Sequence, residues 1–111
     1  MTESAGARLR TLDALDTIPR DAVVPHYLDD RKLRVAIARV DDRLYAFDDL
    51  CTCTDEPCPL TGGLLTGTTI MCQCHGSRFD IATGAVLAGP ATVALTVYPV
   101  AVVGGAVQVR V

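Results

Sequence analysis

The sequence predicts a small all-β domain made of antiparallel hairpins. Val107, Val109 and Val111 alternate with polar residues, which is the period of two that is typical of a half-buried strand. The pairs Thr83-Gly84 and Gly104-Gly105 separate short apolar segments, as hairpin turns do. No long window has the spacing of an amphipathic helix. At 111 residues, half of them hydrophobic, the chain is expected to form one domain with a modest core.

Each predicted strand is bounded by turn-forming residues or proline. Pro25 indicates a sheet edge, because proline cannot donate a ladder hydrogen bond. Asp41-Asp42 has the spacing of a hairpin turn, and Pro99 predicts a bend within one strand. In chain order, the predicted strands are residues 8–15, 22–27, 34–40, 43–47, 79–81, 85–87, 93–103 and 107–111.

Charge and hydropathy argue against several classes of protein. The formal net charge is −3 and the arginines are scattered, so the basic surface that nucleic acid requires is not expected. The N-terminal segment has no apolar core of signal-peptide type, and no later run approaches membrane-spanning length. We therefore expect a soluble, cytoplasmic monomer. In a reducing cytoplasm, clustered cysteines are more often metal ligands than disulfides.

All five cysteines and one of the two histidines lie in residues 51–80. Cys51-Thr52-Cys53 forms one pair of donors, and residues 72–75, CQCH, hold a second group. Thiolate and imidazole together are typical ligands of zinc or of an iron–sulfur cluster, whereas hard cations prefer carboxylates. Structural zinc sites more often use C-x2-C spacing. Both kinds of metal remain open at this point.

The second group resembles the second box of the Rieske 2Fe–2S proteins. Residues 72–80, CQCHGSRFD, have the family's C-x2-H-G followed by a small polar residue and an aromatic. Residues 51–53 lie where the family has C-x-H. The resemblance covers about residues 34–111. Three flanking similarities accompany the boxes: Tyr45-Ala46-Phe47, Thr83-Gly84, and Gly89-Pro90-Ala91 at the place of the family's proline loop.

This resemblance implies a fold and its division. We expect a Rieske-like small β-sandwich or barrel of antiparallel hairpins with an inserted cluster-binding subdomain. Residues 1–111 would form one domain, with a base of residues 1–48 and 81–111. The cluster-binding subdomain would span about residues 49–80.

The resemblance also implies the ligands of a 2Fe–2S cluster. Cys51 and Cys72 would bind the inner iron and His75 the outer iron. Cys53 replaces the family's first histidine, and we expect it to ligate as a thiolate. Two alternatives are a chain without a cluster and a zinc site. A third has Cys58 ligating in place of Cys53.

Three further residues take roles from the same resemblance. Cys58 and Cys74 resemble the pair that forms a loop-to-loop disulfide in respiratory Rieske proteins; two buried thiols are the alternative. Ser77 lies where the family's hydroxyl donates to a bridging sulfide and tunes the cluster, and a turn serine bonded to backbone is the alternative. Phe79 replaces a tyrosine and is expected to pack in the core.

Three thiolates would make the cluster harder to reduce than its relatives with two. The charge of the oxidised cluster becomes more negative, so the reduction potential is expected between about −400 and −150 mV. With one imidazole, at most one proton would couple to each electron.

The remaining candidates are weaker. His26 is expected to be solvated or locally bonded. The acidic pairs, Asp48-Asp49 among them, are expected in solvated turns, where they could also steer a basic partner. An apolar collar around His75 is expected from Leu60, Leu64, Leu65 and Pro90, although core packing explains some of these equally well.

Taken together, the residues and the resemblance imply a ferredoxin-type electron carrier rather than an enzyme. The sequence has no G-x-S-x-G or G-x-G-x-x-G signature. A reductase would be the electron donor, and an oxygenase or other redox enzyme the acceptor. The alternatives are an electron-transfer or regulatory subunit of a larger oxidoreductase, and a structural zinc module.

Overall fold

The computed structural model describes residues 9–14, 18–28, 32–41, 43–50, 58–74, 76–89 and 91–111. Within these ranges a single-turn 3-10 helix spans Leu60–Gly62. The strands are β1 Leu9–Ala14, β2 Ala22–Leu28, β3 Leu33–Val40, β4 Arg43–Asp48, β5 Leu64–Thr66, β6 Thr69–Met71, β7 Arg78–Asp80, β8 Val86–Ala88, β9 Val97–Tyr98, β10 Val100–Val103 and β11 Ala106–Arg110.

The strands form three antiparallel sheets. The terminal sheet has the order β1-β11-β10, the central sheet β2-β3-β4-β9, and the short-strand sheet β5-β6-β7-β8. The prediction of an all-β fold is confirmed. In the described part of the chain, no helix is long and apolar enough to cross a membrane.

Strand β3 is buried on both of its faces. Successive side chains of a strand point to opposite sides, so Val35 and Ile37 pack in one hydrophobic cluster with residues of β11. Ala36 and Ala38 pack in the other cluster, with Phe79 of β7. The central sheet therefore lies between two cores, one shared with the terminal sheet and one shared with the short-strand sheet.

The β2–β3–β4 meander follows the sequence pattern closely. The β3–β4 hairpin turns at Asp41, whose φ is 54°, a left-handed conformation that aspartate tolerates better than most residues. Strand β2 lies at the edge of its sheet, as Pro25 predicts. The register pairs Val35 with Asp48, which places Arg34 opposite Asp49.

The prediction of one bent strand over residues 93–103 is wrong. Pro99 separates two short strands that belong to different sheets: β9 pairs with β4 in the central sheet, and β10 pairs with β11 in the terminal sheet. Proline has no N–H to donate to a ladder. Its carbonyl instead accepts a hydrogen bond of 2.9 Å from the backbone N–H of Arg110, so the chain crosses between sheets at this point.

Strands β5 and β6 are absent from the sequence prediction. Each has three residues, too few for an alternation to be recognised. They turn at Gly67, whose φ is 58°, and the buried Ile70 pairs with Leu65 across them. Strand β8 joins the same sheet through β7. The division at residues 49–80 stays a prediction.

Candidate metal centre

Two connections carry the cysteines. The first leads from β4 to β5 and the second from β6 to β7. Of the predicted ligands, the structure describes Cys72. Cys51, Cys53 and His75 lie outside the described residues, as does Pro90.

Cys72 begins the second connection directly after β6, and it is fully buried. Its N–H donates to the carbonyl of Ser77 at 2.7 Å, and its carbonyl accepts from the N–H of Gly76 at 3.0 Å. Gly76 has a φ of 79°, which favours glycine because a side chain would be strained there. These two bonds close a tight loop, whose residues Gln73 and Cys74 are exposed.

The sulfur atoms of the two connections meet. Cys58 of the first connection and Cys74 of the second form a disulfide, with 6.6 Å between their Cα atoms. The Sγ of Cys72 lies 3.6 Å from the Sγ of Cys58, and all three sulfurs lie within 4.8 Å of one another. The resemblance paired Cys58 with Cys74; the function of this pair as a tie between two cluster loops stays a prediction.

The thiol of Cys72 fits an iron–sulfur group. Cys58 and Cys74 use their sulfurs in the disulfide, so Cys72 is the thiolate donor among the described residues of this group, and thiolate suits iron–sulfur clusters or zinc. Cys58 and Cys72 are buried, so water is kept away from this side of the centre.

Ser77 is fully buried one residue after Gly76. Its Oγ accepts a hydrogen bond of 3.0 Å from the backbone N–H of Ala91, which ties the chain at Ala91 to the second connection. This bond agrees with the alternative interpretation of Ser77, a turn serine that is bonded to the backbone. A hydroxyl also has one proton to donate, so the donation to a sulfide stays a prediction beside it.

Asp49 is a site residue that the sequence interpretation missed. The expectation of a solvated turn is wrong for Asp49, whose side chain is fully buried. Its carboxylate accepts hydrogen bonds from Nε of Arg34 and from the N–H and hydroxyl of Thr61, the latter two at 2.8 and 3.2 Å. The β3–β4 register could have indicated this burial from the sequence, because it places the cation Arg34 opposite the carboxylate of Asp49.

Backbone hydrogen bonds also hold the chain at Asp49. The N–H of Asp49 donates to the carbonyl of Arg34 at 2.9 Å, and its carbonyl accepts from the N–H of Leu60 at 2.8 Å. Leu50 and Pro59 form an antiparallel bridge. The first connection is thus closed at its base, on both sides of residues 51–57.

Comparison with known proteins decides the family. The family model described as Rieske [2Fe-2S] domain matches residues 10–99. The chain belongs to the Rieske [2Fe–2S] domain family. The anthranilate 1,2-dioxygenase ferredoxin subunit of Burkholderia cepacia is 32% identical over 111 residues, covering 100% of this chain and 99% of the relative.

Solved structures agree with this assignment. A ferredoxin of Sphingomonas yanoikuyae B1 has a TM-score of 0.84 and 32% identity, over 94% of this chain and 99% of that one. A chain from a complex of reduced oxygenase and oxidized ferredoxin in carbazole 1,9a-dioxygenase has a TM-score of 0.82 and 31% identity, over 92% of both chains.

These comparisons confirm the Rieske-like fold, the 2Fe–2S cofactor and the class of ferredoxin-type electron carrier. The individual ligands of the cluster stay a prediction. Phe79 packs in the core of this Rieske domain as expected, fully buried. Leu60 is fully buried in the same core, which is the core packing that the sequence analysis left open as the alternative, whereas Leu64 is 59% exposed; the collar around His75 stays a prediction.

Gly63→Ala tests the contact between the two connections. A Cβ at Gly63 would run into the carbonyl oxygen of Met71, which directly precedes Cys72. We expect a loss of about 1–3 kcal/mol in the free energy of unfolding, measured by urea denaturation, and lower iron content after purification. Gly89→Ala is the matched control, because its nearest neighbours are 3.8 Å away. Equal effects of the two changes would contradict the assigned contact.

Asp48→Asn tests whether the carboxylate of Asp48, beside the site, lowers the stability of the folded protein in a pH-dependent way. The pKa of Asp48 is raised because burial removes its carboxyl from water and because the Asp49 carboxylate repels a second charge. The folded protein therefore holds this proton to a higher pH than the unfolded chain, and stability falls as pH rises through the raised pKa.

We expect D48N to be more stable than the native chain at pH 7, with the difference shrinking toward pH 4. Urea denaturation between pH 4 and 8 measures it. D41N, in the exposed β3–β4 turn, is the control. A difference independent of pH would argue against this assignment.

Proposed function

We propose that this Rieske domain carries single electrons from a reductase to an oxygenase or other redox enzyme. The observation that carries the proposal is the buried thiol of Cys72 in a tight loop whose next two residues are exposed. A redox centre held by such a loop is shielded from water on its inner side and close to the surface on its outer side. That arrangement suits electron transfer to a docked partner.

We assign the cluster to Cys51, Cys53, Cys72 and His75. When bound, the 2Fe–2S cluster supplies one reversible one-electron site. The chain itself holds the ligands and excludes water. Ser77 anchors the chain at Ala91, and its hydroxyl would donate a hydrogen bond to the bound cluster.

The relatives support the proposed partners. The Burkholderia protein is named a ferredoxin subunit of a dioxygenase, and the carbazole 1,9a-dioxygenase structure is a complex of an oxygenase with its ferredoxin. We propose the same kind of acceptor here, with a reductase as donor, in the cytoplasm. The base of residues 1–48 and 81–111 would support a cluster-binding subdomain of about residues 49–80.

The test of this function is the cofactor and its potential. The purified protein is expected to be brown, with two irons and two sulfides per chain, and to give a rhombic electron paramagnetic resonance signal after reduction. Protein-film voltammetry is expected to give a potential between about −400 and −150 mV. A colourless protein with stoichiometric zinc would overturn the proposal in favour of a structural zinc module.

Cys53→His tests the ligand set. Imidazole in place of thiolate removes one negative charge from the cluster, so the potential is expected to rise and a second proton can couple to the electron. Voltammetry against pH measures both changes. Cys58→Ser is the comparison at another cysteine of the first connection, and Cys74→Ser is its control, because it breaks the same disulfide. Loss of the cluster in C58S but not in C74S, together with an unchanged potential in C53H, would assign the ligand to Cys58 instead.

A further inference from the structure

We infer that Asp49 and its partners Arg34 and Thr61, here called the Asp49 network, position the first cluster connection and set the charge that the cluster experiences. The inference rests on the proposed function, since it assumes a bound cluster. Asp49 would act through its neighbours as a positioning residue and is not itself a ligand.

The hydrogen bonds of the Asp49 network join three separate parts of the fold. Arg34 lies on β3 of the central sheet, Asp49 directly follows β4, and Thr61 lies in the 3-10 helix that leads to β5. The carboxylate accepts one donor from Arg34 and two from Thr61. A buried carboxylate is tolerated when it is paired and hydrogen-bonded in this way.

In the sequence, the residues of the network flank the proposed ligands of the first connection, Cys51 and Cys53. Asp49 precedes Cys51 by two residues, so their Cα atoms lie at most about 7 Å apart. Thr61 follows Cys58 by three residues. Because one carboxylate binds the chain on both sides of residues 51–57, loss of its bonds weakens the anchoring of both ends together and leaves them to the backbone bonds of Asp49 and the Leu50–Pro59 bridge.

The two charges of the network differ in their contact with water. The Asp49 side chain is fully buried, whereas the Arg34 side chain is 38% exposed. Water screens an exposed charge more strongly than a buried one. The carboxylate therefore acts on a nearby cluster more strongly than the guanidinium, and the pair as a whole opposes the addition of an electron.

Opposite shifts of the reduction potential are the expected result. D49N removes the negative charge and keeps an acceptor for Thr61, so the potential rises. R34M removes the positive charge and keeps the apolar stem, so the potential falls by a smaller amount. The double variant D49N/R34M is expected between the two, and R34K close to the native value. Protein-film voltammetry of the cluster-loaded proteins measures all four.

Cluster retention tests the first part of the inference, the positioning of the first connection by Asp49, here called the positioning half. We expect D49N to lose its cluster to a chelator roughly 10–100-fold faster, by analogy with the loss of metal affinity that follows removal of outer groups that hold a metal site in place. T61V removes the hydroxyl donor and keeps the N–H, so an intermediate rate is expected. The control is D80N, since the Asp80 carboxylate accepts an exposed hydrogen bond from the N–H of Ala82 in the turn after β7.

Two results would overturn the inference. One is a potential that moves in the same direction in D49N and R34M. The other is a rate of cluster loss in D49N and T61V that equals the rate in D80N. If D49N fails to retain any cluster during purification, T61V and R34M still decide the matter.

A failure of the proposed function is distinguishable. The native protein would then contain no iron and sulfide, and amide hydrogen exchange of residues 49–61 in D49N and D80N would test the positioning half alone. Faster exchange confined to D49N supports that half, and equal exchange overturns it.

Discussion

The burial of β3 on both faces is the constraint on which the rest of the molecule depends. Val35 and Ile37 fill the core toward the terminal sheet, and Ala36 and Ala38 fill the core toward the short-strand sheet. On the side of the short-strand sheet, the small side chains of Ala36 and Ala38 leave room for the ring of Phe79. Both functional connections emerge from this second core, so the position of the metal centre is set by packing around one strand.

Much of the fold can be predicted from the sequence, because most of its information is local. The β3–β4 hairpin, the edge position of β2 and the final turn at Gly104-Gly105 follow from alternation and from turn chemistry. Pro99 can be recognised in the sequence as an interruption of a strand. The change from one sheet to another at Pro99 cannot, since the choice of partner strand depends on tertiary contacts. The three-residue strands β5 and β6 escape prediction because their pairing, and not their pattern, defines them.

The candidate site also has one part that the sequence predicts and one part that it does not. The second box is recognisable because Cys72, His75 and Gly76 stand at fixed separations within one loop. Asp49 escapes recognition because an aspartate before a loop usually faces water, and only the partners Arg34 and Thr61 explain its burial. Residues distant in sequence supply these partners. A buried polar residue of this kind becomes recognisable only once the strand register is known.

Cys72 is a proposed ligand and at the same time a core residue, packed in one cluster with Phe47 and Phe79. In the finished fold its sulfur cannot be reached from solvent. If Cys72 holds the cofactor, we expect the cofactor to bind before this core closes, or the short-strand sheet to open locally to admit it. Its three-residue strands have few ladder hydrogen bonds to hold it closed. The same opening would let the cofactor escape, so we expect the lifetime of the loaded protein to depend on how rarely this sheet separates.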